Sequence, residues 1–393
     1  MNQTQLQFLL ELLRQPTAPF REQQVRAFAE AALDAWSIPY CRDPHGNLLV
    51  GVESAADYRR LLRARSDSPV RLFVAHMDHP GFHGERWLDA RRLAIRWHGG
   101  SPVKHLAGAK VWLSAGAGYI GAGELRKVVL HPQGYALQHA EVRFVDDQVH
   151  EAVPIAGNLF GGLGFRAPVW RSGRRIYTKA ADDLVGVFAI LQTARALYRR
   201  RRVQRPPFIG LLTRAEEVGF VGAIAHLELG WATARTRPLI AVSLEASRTL
   251  PGARIGQGPV VRLGDRRTVF DADGMQLLSE LAERVLPKAH QRRIMDGGAC
   301  EATATTAFGV PTIALTVPLG NYHNQGLEGG PDCRRPAGPA PEFVHLDDVA
   351  GLLTLCRALF EKPVRWSDPW STTRARLGKN RRDYARLLRE DRA

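Results

Sequence analysis

Five segments of the 393-residue chain carry side chains able to hold divalent metals: His76-Met77-Asp78, Lys179 through Asp182-Asp183, Glu216-Glu217, Glu245, and Tyr322-His323. Two imidazoles mixed with several carboxylates suit Zn²⁺, Co²⁺ or Mn²⁺ better than Ca²⁺, which takes oxygen alone, or a thiolate-seeking metal. Two such ions a few Å apart repel, and a carboxylate between them offsets part of that repulsion. The other ligands must leave positions open for water or substrate. At a strand end, residues two apart share a face, so the Asp78 carboxylate is expected to accept the spare imidazole N–H of His76. Adjacent Glu216 and Glu217 cannot both face one side of a strand, so a turn is required, and Gly219 and Gly222 allow a tight one. Their natural division of labour is one ligand and one unligated general base. Taken singly these signals are weak: a His-x-Asp arises by chance, and a glutamate pair on a solvated turn is ordinary.

The elements that would position these groups are visible as apolar runs of strand length. Leu72–Ala75 precedes His76, Phe208–Leu212 precedes Glu216, Leu239–Val242 precedes Glu245, and Thr312–Val317 precedes Tyr322 and His323. Helical spacing recurs over Gln5–Arg14, Phe20–Trp36, Leu184–Tyr198, Gly274–Val285 and Leu346–Phe360, with Pro16 and Pro19 dividing the first two. Strands alternating with helices predict an α/β fold with a central mixed sheet flanked by helices, and a site beyond the carboxyl ends of its strands. The stretch 84–166 breaks this pattern. It holds no persuasive helix, and its short runs Leu93–Trp97, Val111–Leu113, Val128–Leu130 and Val142–Val145 predict a small inserted all-β domain, of barrel or sandwich type. The predicted organisation is a discontinuous catalytic domain (1–83 and 167–363), the insert (84–166), and a basic extension (364–393).

Composition narrows the class. A hydrophobic content of 45% excludes wholesale disorder, and no run approaches the ~18 apolar residues of a membrane span. The N-terminus lacks the basic start of a signal peptide. Four cysteines without close pairing give neither a disulfide framework nor a thiolate metal site. A cytoplasmic protein is the expectation. The formal charge of +15 concentrates in Arg199 to Arg202 with Arg205, and in 364–393, where Trp366, Trp370 and Tyr384 interleave with the basic residues. Such interleaving can mark a nucleic-acid partner, and solvated basic faces are the plainer alternative.

Read in order, AHMDHPGF, KAADDLVG, TRAEEVGFVGA, IAVSLEAS, GGACEATATTAFGVPT and GNYHN resemble the co-catalytic dinuclear metallopeptidases, in particular the shell-forming glutamyl and leucyl aminopeptidases. The resemblance spans most of the chain outside the insert and the basic extension. It implies two divalent ions, zinc first and cobalt or manganese next. His76 would ligate the first ion with Asp78 behind it, Asp182 would bridge both, and Glu217 and His323 would hold the second. Glu216 would be the general base. The family usually has Asp nearer to Ser243; serine is a poor ligand, and Glu245 shares its strand parity and reaches further, so Glu245 is taken as completing the first ion. A cis peptide between Asp182 and Asp183 is also implied. Glu301, Tyr322 and Asp183 are candidate substrate or supporting residues, with Glu301 a possible partner for a substrate amine.

Insertion position separates relatives. Deacylase-type members carry their extra domain between the third acidic ligand and the last histidine, whereas here it lies between the His-x-Asp and the bridging Asp, as in the aminopeptidases. Peptides with a free N-terminus are therefore the expected substrates, in a homo-oligomer, with neither membrane nor nucleic acid as a partner. An amidohydrolase of small N-acyl substrates on the same metals is the alternative, and a non-catalytic metal-stabilised scaffold binding nucleic acid or a protein is the remote one. Departures from the family are Leu184 in place of Arg, Glu301 in place of Asp, a short insert, and Asn324–Pro341 between His323 and Glu342. His79, His83, His98 and His105 are read as surface or polar-contact residues. Cys300 lacks a histidine partner nearby in sequence and is not read as a nucleophile, and Cys333 carries no reading.

Overall fold

The computed structural model describes residues 1–116, 118–199, 205–233, 235–361 and 364–390. Arg200, Arg201 and Arg202 of the basic run, and the last three residues of the extension, lie outside them. Among the described residues no helix is long and apolar enough to cross a membrane.

Eight strands form the central sheet, in the order Tyr40–Arg42, Leu48–Val50, Phe208–Thr213, Val70–His76, Leu239–Arg248, Thr312–Leu319, Val260–Asp265 and Gln291–Met295. The four central strands run parallel, and the next strand on either side pairs antiparallel to them, so the sheet is mixed as predicted. Side chains alternate between two apolar layers. Phe73 and Ala75 join a large cluster under the helices Gln3–Arg14, Gln23–Ala35, Leu184–Arg199, Ala272–Val285 and Leu346–Ala358. Leu72 and Val74 face a smaller one under Ala55–Arg63, Val221–Glu228 and Glu301–Ala307. Parallel strands buried on both faces require this double cover, and they carry the candidate ligands to one edge of the sheet.

Helix ends follow local chemistry. The first helix starts earlier than its apolar spacing suggests, because Asn2 and Gln5 form a capping box. The second starts only at Gln23. Phe20 adopts a left-handed conformation (φ 66°), and its N–H donates to Glu22 Oε1 at 2.7 Å, which keeps this segment out of the helix.

The insert is a closed six-stranded barrel. Its strand order is Gly81–Asp89, Arg92–His98, Leu137–Arg143, Tyr119–Leu130, Lys110–Ser114 and Phe160–Leu163, around a core that includes Phe82, Leu93, Ile95, Leu113 and Val142. A short helix at Gln148–Ala152 and a 3₁₀ turn at Ala156–Asn158 lie in this stretch, where no helix is predicted. They are too brief for a hydrophobic period to show. A third sheet of Val169–Ser172, Arg175–Thr178 and Glu342–His345 joins the residues before Asp182 to those after His323. Beyond the core, Trp366 packs on the large cluster and Trp370 Nε1 donates to Asp273 Oδ1 at 2.7 Å, while the helix Ser371–Asp383 buries none of its residues.

Candidate metal centre

His76 ends its strand 1% exposed. On the neighbouring parallel strand Ser243 pairs with Val74, so the same register carried two residues on sets Glu245 opposite His76. Ser243 lies one pleat deeper, its Oγ 3.9 Å from Cys300 Sγ. Asp182 follows the strand Arg175–Thr178, and its peptide to Asp183 is cis. The two Asp182 oxygens face different imidazoles: Oδ1 lies 3.4 Å from His76 Nε2, and Oδ2 lies 3.8 Å from His323 Nε2. His323 Nε2 is also 3.1 Å from Glu217 Oε2, and Glu216 Oε2 is 3.8 Å from His76 Nε2. Ligand atoms of His76, Asp182 and Glu217 all lie within 4.8 Å of one another.

The acidic pair sits on a turn, as its sequence requires. Gly219 takes φ 113°, and a Cβ on Gly222 would meet the Arg214 carbonyl oxygen at 2.4 Å, so both glycines are needed. Asp78 holds this turn rather than His76. Its Oδ1 accepts the Glu216 N–H at 3.0 Å and its Oδ2 the Glu217 N–H at 3.1 Å. The Nδ1 of His76 is 3.1 Å from the backbone oxygen of Asp78 and 3.6 Å from the carboxylate. The expected carboxylate–imidazole pair is thus replaced by a carbonyl one. Strand parity gave the right neighbour and the wrong atom, because two backbone N–H groups compete for the same oxygens. Glu22 reinforces the turn from outside, with Oε1 accepting the Ala215 N–H at 3.1 Å and Oε2 accepting from Arg214 Nε at 2.8 Å.

The donors fit divalent cations. Asp182 Oδ1, Glu217 Oε1 and Glu245 Oε1 are buried and make no hydrogen bond, a cost that a bound cation removes. Burial pushes the Glu216 carboxyl well above its ordinary value, with the charges of Glu217 and Glu245 adding to it and His76 opposing. Burial likewise pushes Glu245 up to about 8. Burial lowers the His76 imidazole, but Glu216, Asp182 and Asp78 outweigh it and hold the group well above its usual range.

Other candidates divide. Tyr322 lines the cavity over the site, and its ring stacks on His323 with centroids 3.7 Å apart. Asp183 turns away, and its Oδ1 accepts the Gly186 N–H at 3.1 Å at the start of the next helix. Glu301 is fully buried near His76 but does not line the cavity, so it is not placed to meet a substrate amine. Burial pushes its carboxyl up to about 7. Cys300 does line the cavity, and burial raises its thiol far out of the nucleophilic range. Of the two readings given to His79, polar contact is the one that holds: it is 4% exposed, with Nδ1 2.8 Å from the Asp182 carbonyl oxygen and Nε2 3.3 Å from Asn324 Oδ1. Two participants were missed in sequence, Arg262 in the cavity wall and Glu342 beneath the site. Each is a charged residue set beside apolar ones in a buried strand, and that was the signal available.

Residues 60–327 match the family model of the M42 glutamyl aminopeptidases, which is more than half of the chain. The chain belongs to the M42 family. As an M42 member it is a metal-dependent aminopeptidase, a hydrolase. Solved structures agree on the fold. The Pyrococcus horikoshii TET1 peptidase, described as assembling into a tetrahedron or a large octahedral shell, is 20% identical with a TM-score of 0.69, covering 91% of this chain and 99% of its own. An aminopeptidase from Desulfurococcus kamchatkensis is 19% identical with a TM-score of 0.70, over 91% and 95% of the two chains. An M18 aminopeptidase from Thermotoga maritima is 14% identical at 0.61, over 90% and 95%. No curated protein matches the chain in sequence.

Proposed function

We propose that this M42 enzyme removes acidic N-terminal residues from peptides, using two divalent ions, zinc first among the candidates. His76, Glu245 and Asp182 would hold one ion, and His323, Glu217 and Asp182 the other. The observation that carries this reading is the split geometry of Asp182, one oxygen toward each imidazole. Bound ions would supply Lewis acidity toward the scissile carbonyl and toward water.

The chain's own residues account for the proton and for the substrate. Glu216 has a carboxylate beside His76, and the backbone N–H of that same glutamate is fixed by Asp78. It would take a proton as the water oxygen bonds to the carbonyl carbon, and return that proton to the departing amine nitrogen as the C–N bond breaks. Across the cavity, Arg262 is 2% exposed with one side-chain hydrogen bond, Nη1 to Ser247 Oγ at 3.1 Å, while its Nε makes none and no carboxylate forms an ion pair with it among the described residues. Burial opposes the charge of this guanidinium, but Cys300, Glu245 and Asp265 outweigh it and keep it protonated, so the cavity wall carries a fixed cation, and Arg248 lines the same wall. A side-chain carboxylate on the N-terminal residue answers both. The TET neighbours are dodecamers and shells, and by that likeness we assign a homo-oligomer here, with the barrel governing assembly or substrate access. Four free cysteines suit a reducing cytoplasm.

Hydrolysis of a panel of aminoacyl-anilides, free and N-blocked, with Zn²⁺, Co²⁺ or Mn²⁺ added, tests this. Turnover of free Glu- and Asp-anilides is expected. Turnover of blocked substrates alone would move the function to deacylation.

A further inference from the structure

Glu342 is fully buried and does not line the cavity, yet its two oxygens serve opposite sides of the metal centre. Oε2 accepts the N–H of Ala181 at 2.7 Å and of Asp182 at 3.2 Å, and Oε1 accepts the N–H of His323 at 2.9 Å. The residue opens the strand Glu342–His345 and pairs with Thr178, three positions before Ala181. Asn324–Pro341 leaves the site and comes back to it. Ala340 N–H donates to the Asn324 carbonyl at 2.9 Å and Gly326 N–H to that of Gly338 at 2.7 Å, closing the loop at its base and returning the chain to Glu342.

We propose that Glu342 is a positioning residue that sets His323 against Asp182 and so creates the second metal position. The reason lies in how each half of the site is held. His76 and Glu245 stand on paired strands, where the ladder fixes their backbones. His323 sits in a turn in which Asn321, His323 and Asn324 all take positive φ (55°, 53° and 58°), a conformation that surrounding contacts must impose on non-glycine residues. Asn321 is tied outward, to the carbonyls of Gly329 and Pro341 and to Glu328. Asn324 reaches the Lys179 carbonyl and His79. Among the described residues, Glu342 alone bonds the backbone N–H of His323 and that of Asp182 together. Without its carboxylate the imidazole loses its fixed distance to the bridging oxygen, while the His76 side keeps its own.

This inference rests on the reading that His76, Asp182, Glu217, Glu245 and His323 hold two ions. Its test is a Co²⁺ titration of metal-stripped full-length protein, followed by calorimetry and visible absorption, for wild type, Glu342→Gln, Glu342→Asp and, as the reference, His323→Ala. The glutamine variant puts an amide donor against backbone donors, and the aspartate keeps the charge but falls a methylene short. Both should bind one Co²⁺ with wild-type affinity and the second ten- to a hundred-fold more weakly, and their one-ion spectrum should match that of His323→Ala. Should Glu342→Gln fail to fold, Glu342→Asp carries the test. Two ions bound at wild-type affinity in the variants, or both ions weakened equally, would overturn the positioning role. Fewer than two ions in the wild type would instead overturn the two-ion reading, and this inference with it.

Discussion

Each half of the proposed metal centre offers one imidazole and one glutamate, and the halves are built by different means. His76 and Glu245 rise from neighbouring parallel strands, and the register between them does the positioning. Glu217 and His323 come from turns, where no ladder operates. There, two fully buried carboxylates substitute for it: Asp78 gathers the N–H groups of Glu216 and Glu217, and Glu342 those of His323 and Asp182. A sheet edge thus supplies half of the proposed two-ion site, and the other half depends on side chains that fix the main chain.

Breaking either half should show this contrast first. His323→Ala is expected to leave one ion per chain with the fold intact and to lower kcat/KM on the order of 10³-fold, through loss of one source of charge stabilisation; metal analysis and a thermal melt check it. Glu245→Ala should likewise remove one ion, from the strand-built half, and retention of both ions would return the ligand question to Ser243. The next effect concerns the cavity wall. Arg262→Ala should cost Glu-anilide about 10²-fold in kcat/KM, the loss of a charge-assisted contact, with little change for Ala- or Leu-anilide. Equal losses on all three would remove Arg262 from specificity.

The pH profile sharpens the role of Glu216. Burial raises its carboxyl above the ordinary 4.5, and it must be ionised to accept a proton. Activity should therefore fall as pH drops, and this acid limb should be absent from the residual activity of Glu216→Gln. An acid limb that survives unchanged in that variant would assign the proton to another group. The smallest expected effect belongs to Ser243→Ala. It touches only a 3.9 Å contact with Cys300, so metal content should stay unchanged and stability should shift by about 1 kcal/mol or less.

What was legible in the sequence follows the same division. The strands ahead of His76, Glu245 and His323 were read from apolar runs of strand length, and the preference for Glu245 over Ser243 came from serine's poor ligand chemistry, shared strand parity and longer reach. The inserted β domain showed itself through short β runs between glycine-rich or polar turns, which left barrel and sandwich both open. Hidden were the contacts that join distant segments by main-chain N–H groups. Nothing in the identity of Glu342, nineteen positions after His323, says that it bonds the backbone on both sides of the site, and the Asp78 carboxylate was given to the nearest imidazole because competing N–H donors have no sequence signature. The partners of His79 were hidden for a related reason: they are a carbonyl 103 residues away and an amide 245 away.

The central claim is that Glu216 lines the cavity beside the proposed ions without holding them. Metal content and anilide turnover measured together on Glu216→Gln test this most directly. About two ions per chain, as in the wild type, with kcat lowered by roughly 10²- to 10⁴-fold, is the predicted result. Loss of the ions along with activity would contradict it and make Glu216 a ligand.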